Sequence, residues 1–299
     1  MSGAATISEE TAMAFEDITW MSHDGLRLHA RDYPGDAASN LLPVICLHGL
    51  TRNARDFETI APVIASSGRR VLSAEMRGRG GSDRDSNPSN YHFATYVADV
   101  AALLDDLGIA RAIFVGTSMG GMISIHLSAA RPDLVTAVIL NDIGPEIAPE
   151  GLARIATYIG KIAPVTNWQD AADYARTTNG AALPGYGAAD WMTLARRLFR
   201  ENADGVPVLD YDPGIAGAKG PPTGTAEDNW RMFEAMARAC PVLLLRGAIS
   251  DILSVAITER MLAVAPSLGV ATVPGVGHAP VLDEPTALAA IGDFLREQG

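Results

Sequence analysis

The clearest chemical signal in the sequence is a serine placed to act as a nucleophile. Residues 110–115 form an apolar run rich in β-branched residues, which predicts a buried strand. The run leads directly into G-T-S-M-G at residues 116–120, and apolar residues then recur at helical spacing. Glycines let the neighbouring backbone pass close by, so the serine between them can expose its hydroxyl on a sharp turn. We therefore expect Ser118 to be a nucleophile, with the N-terminal N–H groups of the following helix directed at developing negative charge.

A serine hydroxyl needs a base within hydrogen-bond reach and an acid that orients the base. The chain has six histidines. His278 follows the strand predicted at residues 270–273, in a glycine-flanked loop near the C-terminus, and we predict it as the base. The other five are expected in a surface turn, an early strand, a loop, a helix start and a packed helix face: His23, His29, His48, His92 and His126.

Two aspartates compete for the role of the acid. Asp251 follows the strand predicted at residues 241–245, and Asp142 follows the strand predicted at residues 134–140. Both therefore lie at the carboxyl ends of strands, where ligands gather in open α/β sheets. Asp283 is the weaker candidate, because it follows the histidine and is expected to cap the final helix. Position alone does not decide whether Asp251 or Asp142 is the acid.

The elements that must position these side chains alternate between strand and helix. Strands are predicted at residues 15–20, 26–33, 43–47, 70–74, 110–115, 134–140, 241–245 and 270–273. Helices are predicted at residues 53–65, 93–104, after the serine, at 258–264 and at 285–296, and Asp99, Asp105 and Asp106 are expected on the wet side of the second. This alternation predicts an α/β fold with a mostly parallel sheet covered by helices on both faces.

The alternation stops near residue 145. From there to residue 239 no buried strand is predicted, and helical patches occur at 151–162, 168–177, 189–201 and 226–239, with turn-rich pieces at 182–187 and 219–224. We interpret residues 145–239 as a helical cap inserted into an α/β core of residues 1–144 and 240–299. A few of its large apolar side chains should face a substrate: Trp168, Trp191, Trp230, Met192, Met232 and Met236. Its arginines are expected to be solvated: Arg154, Arg176, Arg196, Arg197 and Arg231.

Composition limits the partners. The chain has 299 residues, a net charge of −12 and no basic run, which argues against nucleic acid and anionic membranes. The two cysteines are too far apart for a disulfide framework or a metal site, and we expect buried thiols. The N-terminal stretch is acidic and lacks the features of a signal peptide, which favours the cytoplasm. We expect a small-molecule substrate, no metal and no cofactor, and leave a homo-oligomer open.

With these motifs the chain resembles the α/β-hydrolase superfamily over nearly its whole length, from about residue 15 onward. The H-G-L-T run at residues 48–51 resembles the family's oxyanion loop. Residues 77–83, R-G-R-G-G-S-D, resemble its R-G-x-G-x-S-D segment, and the Gly-His pair at 277–278 resembles its catalytic histidine. The resemblance implies an α/β-hydrolase fold with a Ser-His-Asp triad.

The resemblance also implies further site residues. The backbone N–H groups of Leu50 and Met119 would form the oxyanion hole. Residues 246–251, Arg-Gly-x-x-Ser-Asp, resemble the family's acid loop, and the family favours the chain order serine, acid, histidine. We therefore favour Asp251 as the acid, with Asp142 as the alternative, since some relatives take the acid from that position.

The identity of the residue at position 118 limits the reaction classes that the chain could catalyse. Related dehalogenases and epoxide hydrolases carry aspartate there, so Ser118 argues against both. Ring-fission C–C hydrolases resemble the chain in the Ser-Met-Gly-Gly turn and the cap, but a tryptophan commonly follows their histidine, where this chain has Ala279. The leading interpretation is hydrolysis of a small carboxylic ester or lactone. The alternatives are a C–C bond hydrolase acting on a ring-fission dienoate, a perhydrolase or cofactor-free oxygenase, and a receptor without enzymatic activity.

Overall fold

The computed structural model describes residues 15–161, 165–217 and 225–299. Three sequence-based interpretations fall wholly or partly on other residues: the acidic N-terminal stretch, the end of the helix predicted at 151–162, and the turn-rich piece at 219–224. These lie outside the described residues. No helix among the residues that the structure describes has an apolar stretch long enough to cross a lipid bilayer.

The core of the fold is an eight-stranded sheet. The ten strands of the described residues are β1 (Glu16–Met21), β2 (Arg27–Tyr33), β3 (Val44–Leu47), β4 (Val71–Glu75), β5 (Ala112–Thr117), β6 (Val135–Asn141), β7 (Phe199–Glu201), β8 (Pro207–Leu209), β9 (Val242–Gly247) and β10 (Gly269–Val273). The large sheet has the strand order β1-β2-β4-β3-β5-β6-β9-β10. Strand β2 pairs antiparallel with β1 and β4, and the other neighbours in the large sheet are parallel. The predicted mostly parallel sheet is therefore confirmed.

Helices cover both faces of the sheet. They are α1 (Ile60–Ala65), α2 (Phe93–Asp106), α3 (Met119–Ala130), α4 (Pro149–Tyr158), α5 (Trp168–Asn179), α6 (Ala188–Leu198), α7 (Ala226–Ala239), α8 (Val255–Val264) and α9 (Pro285–Arg296). Side chains of β5 alternate between two cores: Ile113 packs with α1 and α9, whereas Phe114 packs with α2 and α3. This period of two is the reason why a strand covered on both faces is apolar throughout.

Two local predictions need correction. The helix predicted at residues 53–65 is a short 3₁₀ helix followed by α1, because Pro62 is tolerated only in the first turn of an α-helix. Asp99 was expected on the wet side of α2 but is fully buried, and both of its carboxylate oxygens accept hydrogen bonds from Arg77 at 2.7–2.8 Å. Burial of a charge requires such a partner, and this partner lies far from Asp99 in the sequence.

The segment predicted as a cap, residues 145–239, lies between β6 and β9 and contains α4 to α7. It also contains a hairpin that the sequence analysis missed. The helix predicted to residue 201 ends at Leu198, and the next three residues, which were predicted as helical, form β7 instead. Strand β7 pairs with β8 across a turn in which Gly205 has a φ of +75°. Strands of three residues are too short to show a periodic pattern. The last helix, α7, packs against α3.

Candidate active site

Ser118 occupies a sharp turn between β5 and α3. Its φ of +51° lies in the left-handed region, which non-glycine residues rarely adopt. A Cβ at Gly116 would lie 2.5 Å from the carbonyl carbon of Gly120, and a Cβ at Gly120 would lie 2.0 Å from the carbonyl oxygen of Leu47. Only glycine fits at these two positions, as the sequence pattern predicts.

His278 lies beside Ser118, in the loop between β10 and α9. The Ser118 hydroxyl is 2.9 Å from Nε2 of His278, and Nδ1 of the same ring is 2.8 Å from Oδ2 of Asp142. The contacts fit a ring whose Nδ1–H donates to the carboxylate while Nε2 accepts from the serine hydroxyl. The structure thus brings together a serine hydroxyl, an imidazole and a carboxylate from three separate loops.

Asp142 follows β6 directly, and its carboxylate is fully buried and held by several donors. Oδ1 accepts from the backbone N–H of Gly247 at 2.7 Å, and Oδ2 accepts from the Ser250 hydroxyl at 2.5 Å as well as from His278. The φ of Asp142 is +52°, so both Ser118 and Asp142 have strained backbones. These donors fix the carboxylate toward the imidazole.

The structure corrects the preference for Asp251. Its carboxylate accepts from Nε and Nη2 of Arg154 at 2.5 and 2.9 Å, and it makes no hydrogen bond to His278. The predicted acid loop still contributes to the site, through Ser250, which supports Asp142. Asp142, the alternative candidate, therefore lies beside the imidazole. Asp283 is exposed and does not cap α9, contrary to the expectation.

The predicted oxyanion residues adjoin the nucleophile. Leu50 lines the same cavity as Ser118, and Met119 is the first residue of α3. Within the described part of the chain, the backbone N–H groups of Leu50 and Met119 donate to no other group. Both are thus available to a substrate oxygen, and the N-terminus of α3 adds a favourable dipole.

His48 holds this loop in place through two hydrogen bonds of its ring. Its Nδ1–H donates to the carbonyl oxygen of Gly49 at 2.7 Å, and its Nε2 accepts from the N–H of Met76 at 3.1 Å. Complete burial lowers the pKa of His48 to about 4, so the ring is neutral near pH 7. The loop role expected from the sequence agrees with these contacts.

Arg79 is a functional candidate that the sequence analysis missed. Its guanidinium is buried, donates from Nε to the carbonyl oxygen of Leu50 at 3.1 Å, and places Nη2 3.7 Å from Sδ of Met119. Nη1 donates to the Tyr96 hydroxyl at 2.9 Å, and no described carboxylate forms an ion pair with Arg79. It therefore touches both predicted oxyanion residues. The sequence feature that could have identified Arg79 is its place within the R-G-R-G-G-S-D segment at residues 77–83.

The cavity in front of Ser118 is lined by the core and by the segment at 145–239. Its lining includes Gly49, Leu50, Arg52, Ser118, His278, Arg154, Tyr158, Tyr174, Leu183 and Tyr211. The aromatic residues are tyrosines. The tryptophans and methionines that were expected to face a substrate do not line this cavity. Among the described residues, no group of three or more histidine, cysteine, aspartate or glutamate side chains is arranged to hold a metal ion.

Two arginines of the segment at 145–239 also differ from the expectation of solvated charges. Arg197 is buried and donates to Glu58, while Arg154 is half-buried against Asp251. The thiol of Cys46 is buried, as expected, and that of Cys240 is half-buried. Burial raises the pKa of the Cys240 thiol to about 11.

Comparison with known proteins places the chain in a family. The family described as alpha/beta hydrolase fold matches residues 43–285. A 3-hydroxybutyrate-oligomer hydrolase from Cupriavidus necator is 33% identical over 286 residues, which cover 93% of this chain and 96% of that protein. A 2-(acetamidomethylene)succinate hydrolase from Mesorhizobium japonicum is 27% identical over 79% of this chain and 81% of that protein.

A solved structure is similar over almost the entire length. The crystal structure of an α/β hydrolase from Novosphingobium aromaticivorans superposes with a TM-score of 0.89 and 43% identity, covering 97% of this chain and 100% of that chain. The match of the family to most of the chain, together with these full-length similarities, shows that the chain belongs to the α/β-hydrolase fold family.

Proposed function

We propose that the protein is a serine hydrolase that cleaves a small carboxylic ester or lactone through an acyl-enzyme. One observation carries the proposal: His278 lies 2.9 Å from the Ser118 hydroxyl and 2.8 Å from the buried Asp142 carboxylate. A serine hydroxyl is a weak nucleophile near neutral pH, and this arrangement supplies the base and the orienting acid that it needs.

The chemistry follows from these contacts. Nε2 of His278 takes the hydroxyl proton as Ser118 Oγ attacks the ester carbonyl, and the N–H groups of Leu50 and Met119 stabilise the resulting oxyanion. The imidazolium then gives its proton to the leaving alcohol, and the acyl group remains on Oγ. A water molecule, deprotonated by His278, attacks the acyl carbon, and the imidazolium returns the proton to Ser118 Oγ as the acid is released. Asp142 holds the tautomer and stabilises the imidazolium throughout.

The comparisons support an ester substrate and suggest its class. The Cupriavidus necator relative is named for 3-hydroxybutyrate oligomers, which are short chains of hydroxyacid esters, and it matches nearly the whole chain. We therefore propose short hydroxyacid oligomers as the first substrates to test. The same acyl-enzyme chemistry would open a lactone, because a lactone is an internal ester. The cytoplasmic location suggested by the N-terminal stretch remains a prediction.

Activity-based labelling tests the nucleophile. A fluorophosphonate should modify Ser118, and mass spectrometry should locate the adduct there. The Ser118→Ala variant should keep its fold and lose at least about 10³-fold in kcat. Labelling of a different serine, or no labelling of folded and active protein, would overturn the assignment.

A substrate panel tests the reaction. Short p-nitrophenyl esters, 3-hydroxybutyrate dimers, a lactone and a ring-fission dienoate should be compared at matched concentrations by kcat/KM. We expect the esters to exceed the dienoate. A clear advantage for the dienoate would instead favour C–C bond hydrolysis, for which the same three residues would serve.

A further inference from the structure

We propose that the active-site cavity binds a free carboxylate through Arg52 and Arg154, so that the substrate is an ester that carries a carboxylate. The inference rests on the proposed function for its chemistry, but the binding site itself can be tested without turnover. It assigns to two arginines a role that the triad does not require.

Both arginines face the same cavity as the nucleophile. Arg52 and Arg154 line it together with Ser118 and His278, and so does Asp56, the ion-pair partner of Arg52. A Cβ at Gly49 would lie 3.2 Å from Cγ of Arg52 and 3.9 Å from Cβ of Ser118, so these two side chains flank the same glycine. The stem of Arg52 thus begins beside the nucleophile, and Arg154 reaches the cavity from α4.

Each guanidinium is held by one carboxylate on one edge. Arg52 binds Asp56 through Nε at 2.9 Å and Nη2 at 2.8 Å, and Arg154 binds Asp251 through Nε at 2.5 Å and Nη2 at 2.9 Å. The side chains of both arginines are about one-fifth exposed, at 18% and 22%. Such partners restrict the rotation of a long side chain, which lowers the entropy lost when it binds a ligand.

The other edge of each guanidinium has no carboxylate partner among the described residues, and the Tyr158 hydroxyl lies beside the Arg154 guanidinium. Across the described residues, no carboxylate or carbonyl oxygen accepts a hydrogen bond from Nη1 of Arg52 or Arg154. Tyr158 also lines the cavity, and burial raises the pKa of its hydroxyl, which therefore stays protonated near pH 7. Two positioned guanidinium groups and a phenol form a donor set suited to a carboxylate.

This site restricts the substrate class. The protein has a net charge of −12 and each guanidinium is already paired with one aspartate, so a substrate carboxylate would be held by directed hydrogen bonds rather than by an excess of local positive charge. A short hydroxyacid oligomer has one free carboxylate and ester bonds along its chain. With the carboxylate bound at Arg52 and Arg154, an ester bond can be presented to Ser118. Hydrolysis consumes one water and releases an acid and an alcohol, with no other reactant.

The kinetic experiment uses a 3-hydroxybutyrate dimer and its terminal amide, which have similar size and the same ester bond. Wild-type protein should hydrolyse the acid with a kcat/KM at least about 10-fold above that of the amide, mainly through KM. This ratio should fall about 10-fold in Arg52→Gln and in Arg154→Gln, and Arg52→Lys should recover part of it. The KM of the acid should rise with salt, and that of the amide should not.

Arg231→Gln is the matched control, because Arg231 is exposed on α7 and is absent from the cavity lining. Its acid-to-amide ratio should equal that of wild type. A wild-type ratio near one, or a ratio unchanged in both arginine variants, would overturn the inference while leaving ester hydrolysis intact.

A binding experiment separates the inference from the proposed function. Isothermal titration of the Ser118→Ala variant with butyrate and with butyramide requires no turnover. Butyrate should bind at least about 10-fold more tightly, and the additional Arg154→Gln substitution should remove the difference. Equal affinities would overturn the carboxylate site. Tight carboxylate binding by a protein that hydrolyses no ester would instead overturn the proposed function alone.

Discussion

Nδ1 of His278 lies 2.8 Å from Oδ2 of Asp142, although 136 positions separate these residues in the sequence. The carboxylate is also held by Gly247, the last residue of β9, and by Ser250 in the loop after it. The orientation of the imidazole therefore depends on the ends of three strands, β6, β9 and β10. This relationship decides which aspartate should matter for catalysis.

Asp142→Asn should lower kcat for a neutral ester about 10⁴-fold, because the amide can no longer hold the productive imidazole tautomer. Asp251→Asn is the matched comparison and should lower kcat by less than about 10-fold. Circular dichroism should establish that both variants are folded before kinetics are measured. A large loss in Asp251→Asn with near-normal kcat in Asp142→Asn would contradict the arrangement described here.

Arg79→Gln should lower kcat about 10-fold with little change in KM, because the guanidinium contacts both residues whose N–H groups would bind the oxyanion. Affinity for a boronic acid, which forms an anionic tetrahedral adduct with the serine, should fall in parallel. Arg84→Gln, an exposed neighbour in the sequence, should change neither quantity. A loss confined to thermal stability would show that Arg79 serves only the fold.

His48 should make the protein less stable in acid. The pKa of His48 is about 4 in the folded protein and 6.5 in the unfolded chain. As the pH falls below 6.5, the unfolded chain therefore takes up a proton that the folded protein does not, and the free energy of unfolding decreases. At about 1.4 kcal/mol per pKa unit, this costs roughly 3 kcal/mol by pH 4. Urea unfolding at several pH values should therefore give a steeper loss in wild type than in His48→Gln. Parallel slopes would contradict the prediction.

Gly120→Ala should destabilise the protein by more than about 3 kcal/mol, because the new Cβ would lie 2.0 Å from the carbonyl oxygen of Leu47. Gly185→Ala is the control, since a Cβ there meets nothing within 4 Å. Thermal unfolding should show a large decrease in Tm for the first variant and almost none for the second. Equal Tm values would mean that the strand-to-helix turn can relax at little cost.

Much of this protein could be predicted from local sequence. The turn around Ser118 was recognised because a buried strand, two glycines and a helical pattern are adjacent in the chain. His278 was selected because it follows a strand in a glycine-flanked loop. Strands β3, β4, β5, β6 and β9 were found because strands covered on both faces are continuous apolar runs.

What remained open depended on neighbours that are distant in the sequence. Asp142 and Asp251 both follow strands, and only the tertiary structure shows that the first meets His278 while the second binds Arg154. The reason is geometric: strand order, a left-handed backbone at Asp142 and the partner of each buried charge determine where a carboxylate points. None of these is encoded in the spacing of residues along the chain. The sequence by itself therefore pointed to Ser118 and His278, and only the tertiary structure shows which aspartate contacts the imidazole.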